Sequence, residues 1–399
     1  MPRLEFKHYC NLTAFRAVPA SLYRDLLGKY ADACRARGLD PATLADDDRS
    51  REALLAFFTQ PGPDLPPELL RAMQEIDDLS NDAGHALLVQ DAVQAGVRFP
   101  SESSTWDPRS LAIYCWVHKP RAFKASADRN FMNKEKAFCD FAGKDARQLA
   151  LPTREWCDAL AERLRPYFVQ RLLGEASEVR SYVDADSINF VISHGRPFRS
   201  DEALDGVTPS MIAYRPRRHD HVLFDNRTCR LRVNGPDAPT VETYRASFGE
   251  ACFGDADYFV RGPIVSLEPL LQRGEGALAW YGGVTMGALI EVWLEQGEER
   301  RPTTVIYKSR NVFRSAEDHD HVQPLRGRPI FAVLELGYVA GGRTKRVELE
   351  PPDRVRFRPN RQRDATISFL ENAGFLAGPP PDIKPPLGRP EDEHERLSE

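Results

Sequence analysis

The apolar positions of the chain follow two periods, and the change between them falls near residue 175. From residue 20 to 175 they recur mostly every three to four residues, as in helices that bury one stripe. Leu22, Leu26, Tyr30, Ala33 and Cys34 form the first such stripe, with Gly38 where a helix would end. Asp46 to Asp48 offer an N-cap ahead of Leu54, Leu55, Phe57 and Phe58, and Pro61-Gly62-Pro63-Asp64 breaks that second helix. Pro66-Pro67 opens a third, carrying Leu69, Leu70, Met73 and Ile76 and followed by Ala86, Leu87, Val89 and Val93. Pro108 to Val117 and Phe123 to Phe141 are less periodic and are read as short helices. Thr153 then caps a helix bearing Trp156, Leu160 and Leu164, which Pro166 is expected to kink or end.

Past residue 175 the pattern alternates. Arg180 to Ser193 reads as strand, and Met211 to Val233 reads as two long strands joined at Asp225-Asn226-Arg227-Thr228. Thr240 caps a helix with Val241, Tyr244 and Phe248 on one stripe, ending near Gly254. Further strands are expected at Leu289 to Glu295, Thr303 to Lys308, Ile330 to Val339 and Val347 to Phe357, with Ala340-Gly341-Gly342 as a hairpin turn. Asp364 precedes a last helix (Ile367, Leu370) closed by Gly374. The fold class that follows is α+β: a helical N-terminal region, then a mostly antiparallel sheet with a few packed helices. The expected division is a mainly helical region over 1–175, a strand-rich α+β domain over 176–378, and a disordered Pro-rich, charged tail over 379–399.

Composition narrows this only slightly. With 399 residues, 42% of them hydrophobic, burial is not limiting. A net charge of −5 gives no global attraction for polyanions, so any nucleic-acid site must be a local patch. Seven scattered cysteines, none in a CxxC pair, argue against a disulfide framework and a thiolate zinc site, and suit a reducing cytoplasm. The charged N-terminus has no export signal, and the uncharged run from Gly276 to Ile290 is shorter than a membrane span needs. A cytoplasmic protein without membrane attachment is expected.

The chemistry suggested by the sequence is basic. Arg354, Arg356 and Arg358 alternate with Val355 and Phe357, so a strand would place the arginines on one face, at roughly the 7 Å spacing of backbone phosphates. Arg361 and Arg363 follow, and Arg343, Lys345 and Arg346 lie on the strand expected alongside. A second set, Arg215 and Arg217 before the hairpin turn and Arg230 and Arg232 after it, completes the candidate nucleic-acid surface. Acidic neighbours such as Glu348, Glu350 and Asp353 support the opposite reading, a solvated and neutralised face.

Two His-Asp-His tetrapeptides compete with this. His219-Asp220-His221-Val222 recurs as His319-Asp320-His321-Val322, and two same-facing imidazoles with a carboxylate could begin a zinc or manganese site completed by His194 or Asp225. No HExxH, GxSxG, GxxxxGK[ST] or GxGxxG pattern accompanies them. Ser193-His194-Gly195 closes an apolar strand, where a catalytic residue could sit, but Gly195 more simply marks the turn leading to Pro197. The reading is therefore a non-enzymatic nucleic-acid-binding or accessory subunit, without cofactor or metal, meeting DNA or RNA through its arginines and a protein partner through its helical N-terminal region. The alternatives are a metal-dependent hydrolase using the His-Asp-His clusters, a nuclease among them, and a structural assembly subunit. No catalytic set is assigned.

Overall fold

In a computed structural model, the structure describes residues 7–9, 11–59, 65–134, 136–184, 186–205, 208–262, 264–297, 302–317, 325–339, 344–357 and 363–377. The chain divides into two units, Met1–Asn133 with Ser200–Ala213, and Lys134–Arg199 with Tyr214–Glu399. The sequence-predicted breaker at 61–64, the turn at 340–342 and the tail at 379–399 lie outside the described residues.

In the first unit the helices are α1 (Leu12–Arg16), α2 (Ala20–Gly28), α3 (Ala31–Ala36), α4 (Asp48–Thr59), α5 (Pro67–Leu79), α6 (Asp82–Gln94), α7 (Pro108–His118) and α8 (Pro120–Met132). Local chemistry sets several starts. Proline occupies the first turn of α5, α7 and α8, where its missing N–H costs nothing, and the Asn81 and Asp107 side chains accept from backbone N–H groups at α6 and α7. The stripe from Leu22 to Cys34 is split between α2 and α3, and the stretch from Leu69 to Val93 breaks at Ser80-Asn81. Phe15, Tyr23, Leu26, Phe58, Met73, Ile76 and Ile113 share the core of this unit.

In the remainder of the chain come β1 (Lys136–Gly143), α9 (Arg154–Gln170), β2 (Ser177–Asp184), β3 (Ser187–Gly195), β4 (Arg199–Asp205), β5 (Thr208–Tyr214), β6 (Arg217–Asp225), β7 (Arg230–Asn234), α10 (Ala238–Phe253) and β8 (Phe259–Val260). They are followed by α11 (Glu268–Arg273), β9 (Val284–Gln296), β10 (Thr303–Lys308), α12 (Val312–Glu317), β11 (Arg328–Tyr338), β12 (Lys345–Glu350), β13 (Arg354–Phe357) and α13 (Arg363–Asn372). Strands β4 and β5 form a separate two-stranded sheet; the others make an 11-stranded sheet in the order β10-β9-β11-β12-β13-β1-β7-β6-β3-β2, with β8 on β1. Its described pairings are antiparallel, and with the helices they give the α+β class that the periodicity implies.

Several local outcomes depart from the sequence pattern. The single strand read over Arg180 to Ser193 is the antiparallel pair β2 and β3, and the one read over Val347 to Phe357 is the antiparallel pair β12 and β13. The segment read as helix through Phe141 ends as β1, whose Phe138 and Asp140 are buried on one face and Phe141 on the other, so it shows no polar alternation. Helix α9 runs past Pro166 to Gln170, because Pro166 sits on the exposed side while Leu164 and Phe168 are buried. The strand expected to start at Met211 is two strands, β5 and β6, separated at Arg215-Pro216.

Cores lie on opposite faces of the large sheet. Over β2, β3, β6 and β7, helices α9 and α10 bury Phe190, Ile192, Val222, Phe224 and Val233 beneath Phe168, Tyr244 and Phe248. Cys139 of β1 stands opposite Val233 on one neighbour and opposite Arg354 on the other, so Arg354 and Arg356 share the α9–α10 side while Val355 and Phe357 point away from it. Beyond β1 the covered face is therefore the other one, where Val355, Phe357, Leu349, Leu334 and Val292 pack with Phe369 and Leu370 of α13.

Candidate functional site

At the end of β3 the chain places Ser193, His194 and Gly195 beside the start of β2 and the start of β6. Here a cleft of about 500 Å³ opens, lined by Leu173 to Glu178, Ser193 to Gly195, Arg215 and Arg217. Its shape depends on two glycines and one arginine. Gly174 has φ +95°, and the Arg215 side chain lies where a Cβ on Gly174 or Gly195 would reach, 3.1 and 2.5 Å away respectively. The Arg215 Nη1 donates to the carbonyl of Leu172, itself in the left-handed region at φ +56°, and to the Arg196 carbonyl at 3.0 Å. These partners hold the guanidinium without neutralising it. Its carbon lies 5.4 Å from the centre of the Phe198 ring, which is 62% exposed.

The opposite wall carries a shared carboxylate. Glu178 pairs with Arg180 and, at 3.0 Å, with Arg217, so one negative charge serves two guanidinium groups. Arg180 also donates to Ser193 Oγ at 3.4 Å, and that hydroxyl shares a 2.7 Å hydrogen bond with His219 Nδ1. Glu175 lines the cleft too, so two arginines (215, 217) and two carboxylates (175, 178) line it, with Arg180 paired to Glu178 beside them.

A buried network holds this wall from behind. Asp220 is fully buried and accepts three bonds: from Arg218 Nε at 2.6 Å, from Tyr244 OH at 2.9 Å and at His194 Nε2 at 2.9 Å. His194 Nδ1 reaches the Gly195 carbonyl at 2.6 Å, and its ring stacks on Phe168 at 4.5 Å between centroids. Burial, reinforced by the Asp220 carboxylate, raises the Tyr244 hydroxyl well above its usual range, so it remains a donor. The pairing of a β3 histidine with a β6 aspartate thus fixes the floor of the cleft.

The sequence-predicted residues are distributed as follows. Arg215 and Arg217 line the cleft. Arg230 and Arg232 share a sheet face, as alternation predicts, but that face is covered: each is 2% exposed. Arg230 donates to the Ala377 carbonyl, and Arg232 Nε lies 3.3 Å from Asp140. The Asp140 carboxyl is raised from its ordinary range because burial outweighs Arg232 and Arg230, which favour the charged form. Arg230 and Arg232 are accordingly removed from any solvent-facing surface. Arg354 and Arg356 are exposed, yet each is matched by a carboxylate: Arg354 Nη1 to Glu350 at 3.0 Å, Arg356 Nη1 to Glu348 at 3.2 Å. Lys345 and Arg346 lie on β12, with Arg346 opposite Glu335 of β11. Arg343, Arg358 and Arg361 lie outside the described residues, as does the Arg363 side chain.

The His-Asp-His segment divides across the sheet. His219 and His221 face one side, with partners Ser193 and Asn189, whereas Asp220 and His194 face the other. Asp225 is occupied in the hairpin turn, accepting from the Arg227 and Thr228 amides at 2.9 and 3.2 Å. Among the described residues no group of three or more His, Cys, Asp or Glu side chains is placed to hold a metal ion. His319, Asp320 and His321 lie outside them. Nor is any helix among the described residues long and apolar enough to cross a membrane.

Glu178, Arg180, Arg196 and Phe198 were not read as site residues from the sequence, and Tyr244 was read only as part of a buried helix stripe. The register of β2 with β3 brings Glu178 and Arg180 beside Ser193, while Tyr244 reaches Asp220 from α10. No protein-family model matches the chain, and no curated protein matches it.

Proposed function

We propose that the protein binds a nucleic-acid strand through its phosphate backbone, with the Arg215–Arg217 cleft as the principal contact. The observation that carries this reading is Arg215: an exposed guanidinium, fixed by two backbone carbonyls, with no carboxylate partner among its described hydrogen bonds. A preorganised cation of this kind donates bidentate bonds to a phosphate without first giving up an ion pair. Arg217 and Arg180, sharing Glu178, add a second cationic position on the facing wall. Arg354 and Arg356 have a lesser part, since a phosphate there must displace Glu350 and Glu348.

Fluorescence anisotropy with labelled DNA and RNA oligonucleotides at about 50 mM salt tests the proposal. Micromolar or tighter binding is expected, weakened at least about tenfold by Arg215→Gln with Arg217→Gln, independently of base sequence. Wild-type protein that binds no oligonucleotide in that range, or a double variant that binds as well as wild type, contradicts it.

A further inference from the structure

Resting on the reading just given, we infer that the cleft takes single-stranded rather than duplex nucleic acid, with Phe198 stacking one base at its mouth while Arg215 and Arg217 hold the flanking phosphates. Phe198 is a large aromatic ring left 62% exposed beside the cleft-lining Arg215, so much of the ring is open to a flat partner. Its position is fixed from two sides. Pro197 restricts the backbone just before it, and the Arg215 guanidinium lies over the ring at 5.4 Å. The cation that steadies the ring is therefore the same one that lines the cleft.

The combination selects among nucleic acids. Inside a duplex each base face is already covered by its neighbours and only the two terminal pairs leave a face open, so an aromatic ring gains little from it, whereas an unpaired base offers a free face. A cavity of about 500 Å³ is also on the scale of one nucleotide and far too small for a double helix. Stacking tolerates any base, so the expected preference is for strandedness and not for sequence.

The decisive experiment compares wild type, Phe198→Ala and Phe198→Trp against four probes: labelled dT20, labelled rU20, a blunt 20-base-pair duplex and inorganic polyphosphate. Wild type is expected to bind the single strands at least about tenfold more tightly than the duplex. Phe198→Ala should lose about tenfold on the single strands, within the range set by one stacked base, and keep its affinity for polyphosphate; Phe198→Trp should restore single-strand binding. A 2-aminopurine in the strand should be quenched by wild type and not by Phe198→Ala. Duplex binding equal to single-strand binding, or an unaltered Phe198→Ala, overturns the stacking inference while leaving phosphate binding standing. Failure to bind polyphosphate and every oligonucleotide overturns both. Because Phe198 is exposed, an unchanged melting temperature serves as the folding control.

Discussion

Replacing Asp220 with alanine removes the one carboxylate on which the floor of the cleft converges. Three donors lose their acceptor at once: Arg218 Nε at 2.6 Å, Tyr244 OH at 2.9 Å and the His194 ring at 2.9 Å. Asp220 and His194 are almost wholly inaccessible to solvent, so water cannot replace it without opening the packing of Phe168 and Tyr244. Breaking a buried charge pair costs about 3 to 5 kcal/mol, and the abandoned Tyr244 hydroxyl adds to this non-additively. Against a whole-domain stability of about 5 to 15 kcal/mol, that is a large fraction. Tyr244→Phe isolates the smaller part: Asp220 keeps two donors, and the loss should be about 1 to 2 kcal/mol. Urea unfolding followed by tryptophan fluorescence is the appropriate assay, in a variant whose other four tryptophans are replaced by phenylalanine, since Trp156 packs on Phe190 and Phe248 in the same core. A lower midpoint with unaltered slope is expected. Asp220→Ala within about 1 kcal/mol of wild type would refute the claim that this network supports the cleft.

Other consequences can be checked separately. Burial lowers Lys136 from 10.5 to about 7, so the folded state holds fewer protons than the unfolded chain between those values. The cost of this residue is full below about pH 7, shrinks as pH rises and vanishes above about 10.5, an upper bound of about 5 kcal/mol. Lys136→Met should abolish this rise of stability with pH, measured by urea titrations at pH 7 and 9.5; parallel curves for the two proteins would count against it. Arg354→Ala with Arg356→Ala should change stability by about 1 kcal/mol or less, because exposed ion pairs contribute little, and calorimetry reads this directly. The same double variant should alter the salt dependence of nucleic-acid binding by less than one phosphate's share, about 0.7 to 0.9 in log–log slope, whereas a larger change would return the strand to the principal contact.

The architecture is legible in the sequence wherever one face of an element meets solvent. Strand β10 (Thr303–Lys308) has the predicted ends, and the hairpin turn after Asp225 falls where Asn226 and the turn-forming neighbours put it. Burial of both faces removes that alternation, and β3, rich in isoleucine, valine and phenylalanine, is still legible as strand while β1 is not. In β1 Phe138, Asp140 and Phe141 are all covered, so a central strand looked like a continuation of the helices before it. Alternation also shows that Arg230 and Arg232 share a face, but not which face is covered; that depends on the core changing sides at β1. The same limit hides the cleft. Gly174, Glu178, Gly195, Arg215 and Arg217 come from three separate segments, and only the pairing of β2 with β3 and of β3 with β6 assembles them.

The central claim is that Arg215 and Arg217 together neutralise phosphates in the cleft, and the salt dependence of binding measures that count directly. The logarithm of single-strand affinity should be plotted against the logarithm of salt concentration for wild type and for Arg215→Gln with Arg217→Gln. Loss of two phosphate contacts on a single strand predicts a slope flatter by about 1.4, with affinity for all base sequences reduced alike. Equal slopes for the two proteins would contradict the account, and the cleft would then not be where this chain meets a nucleic acid.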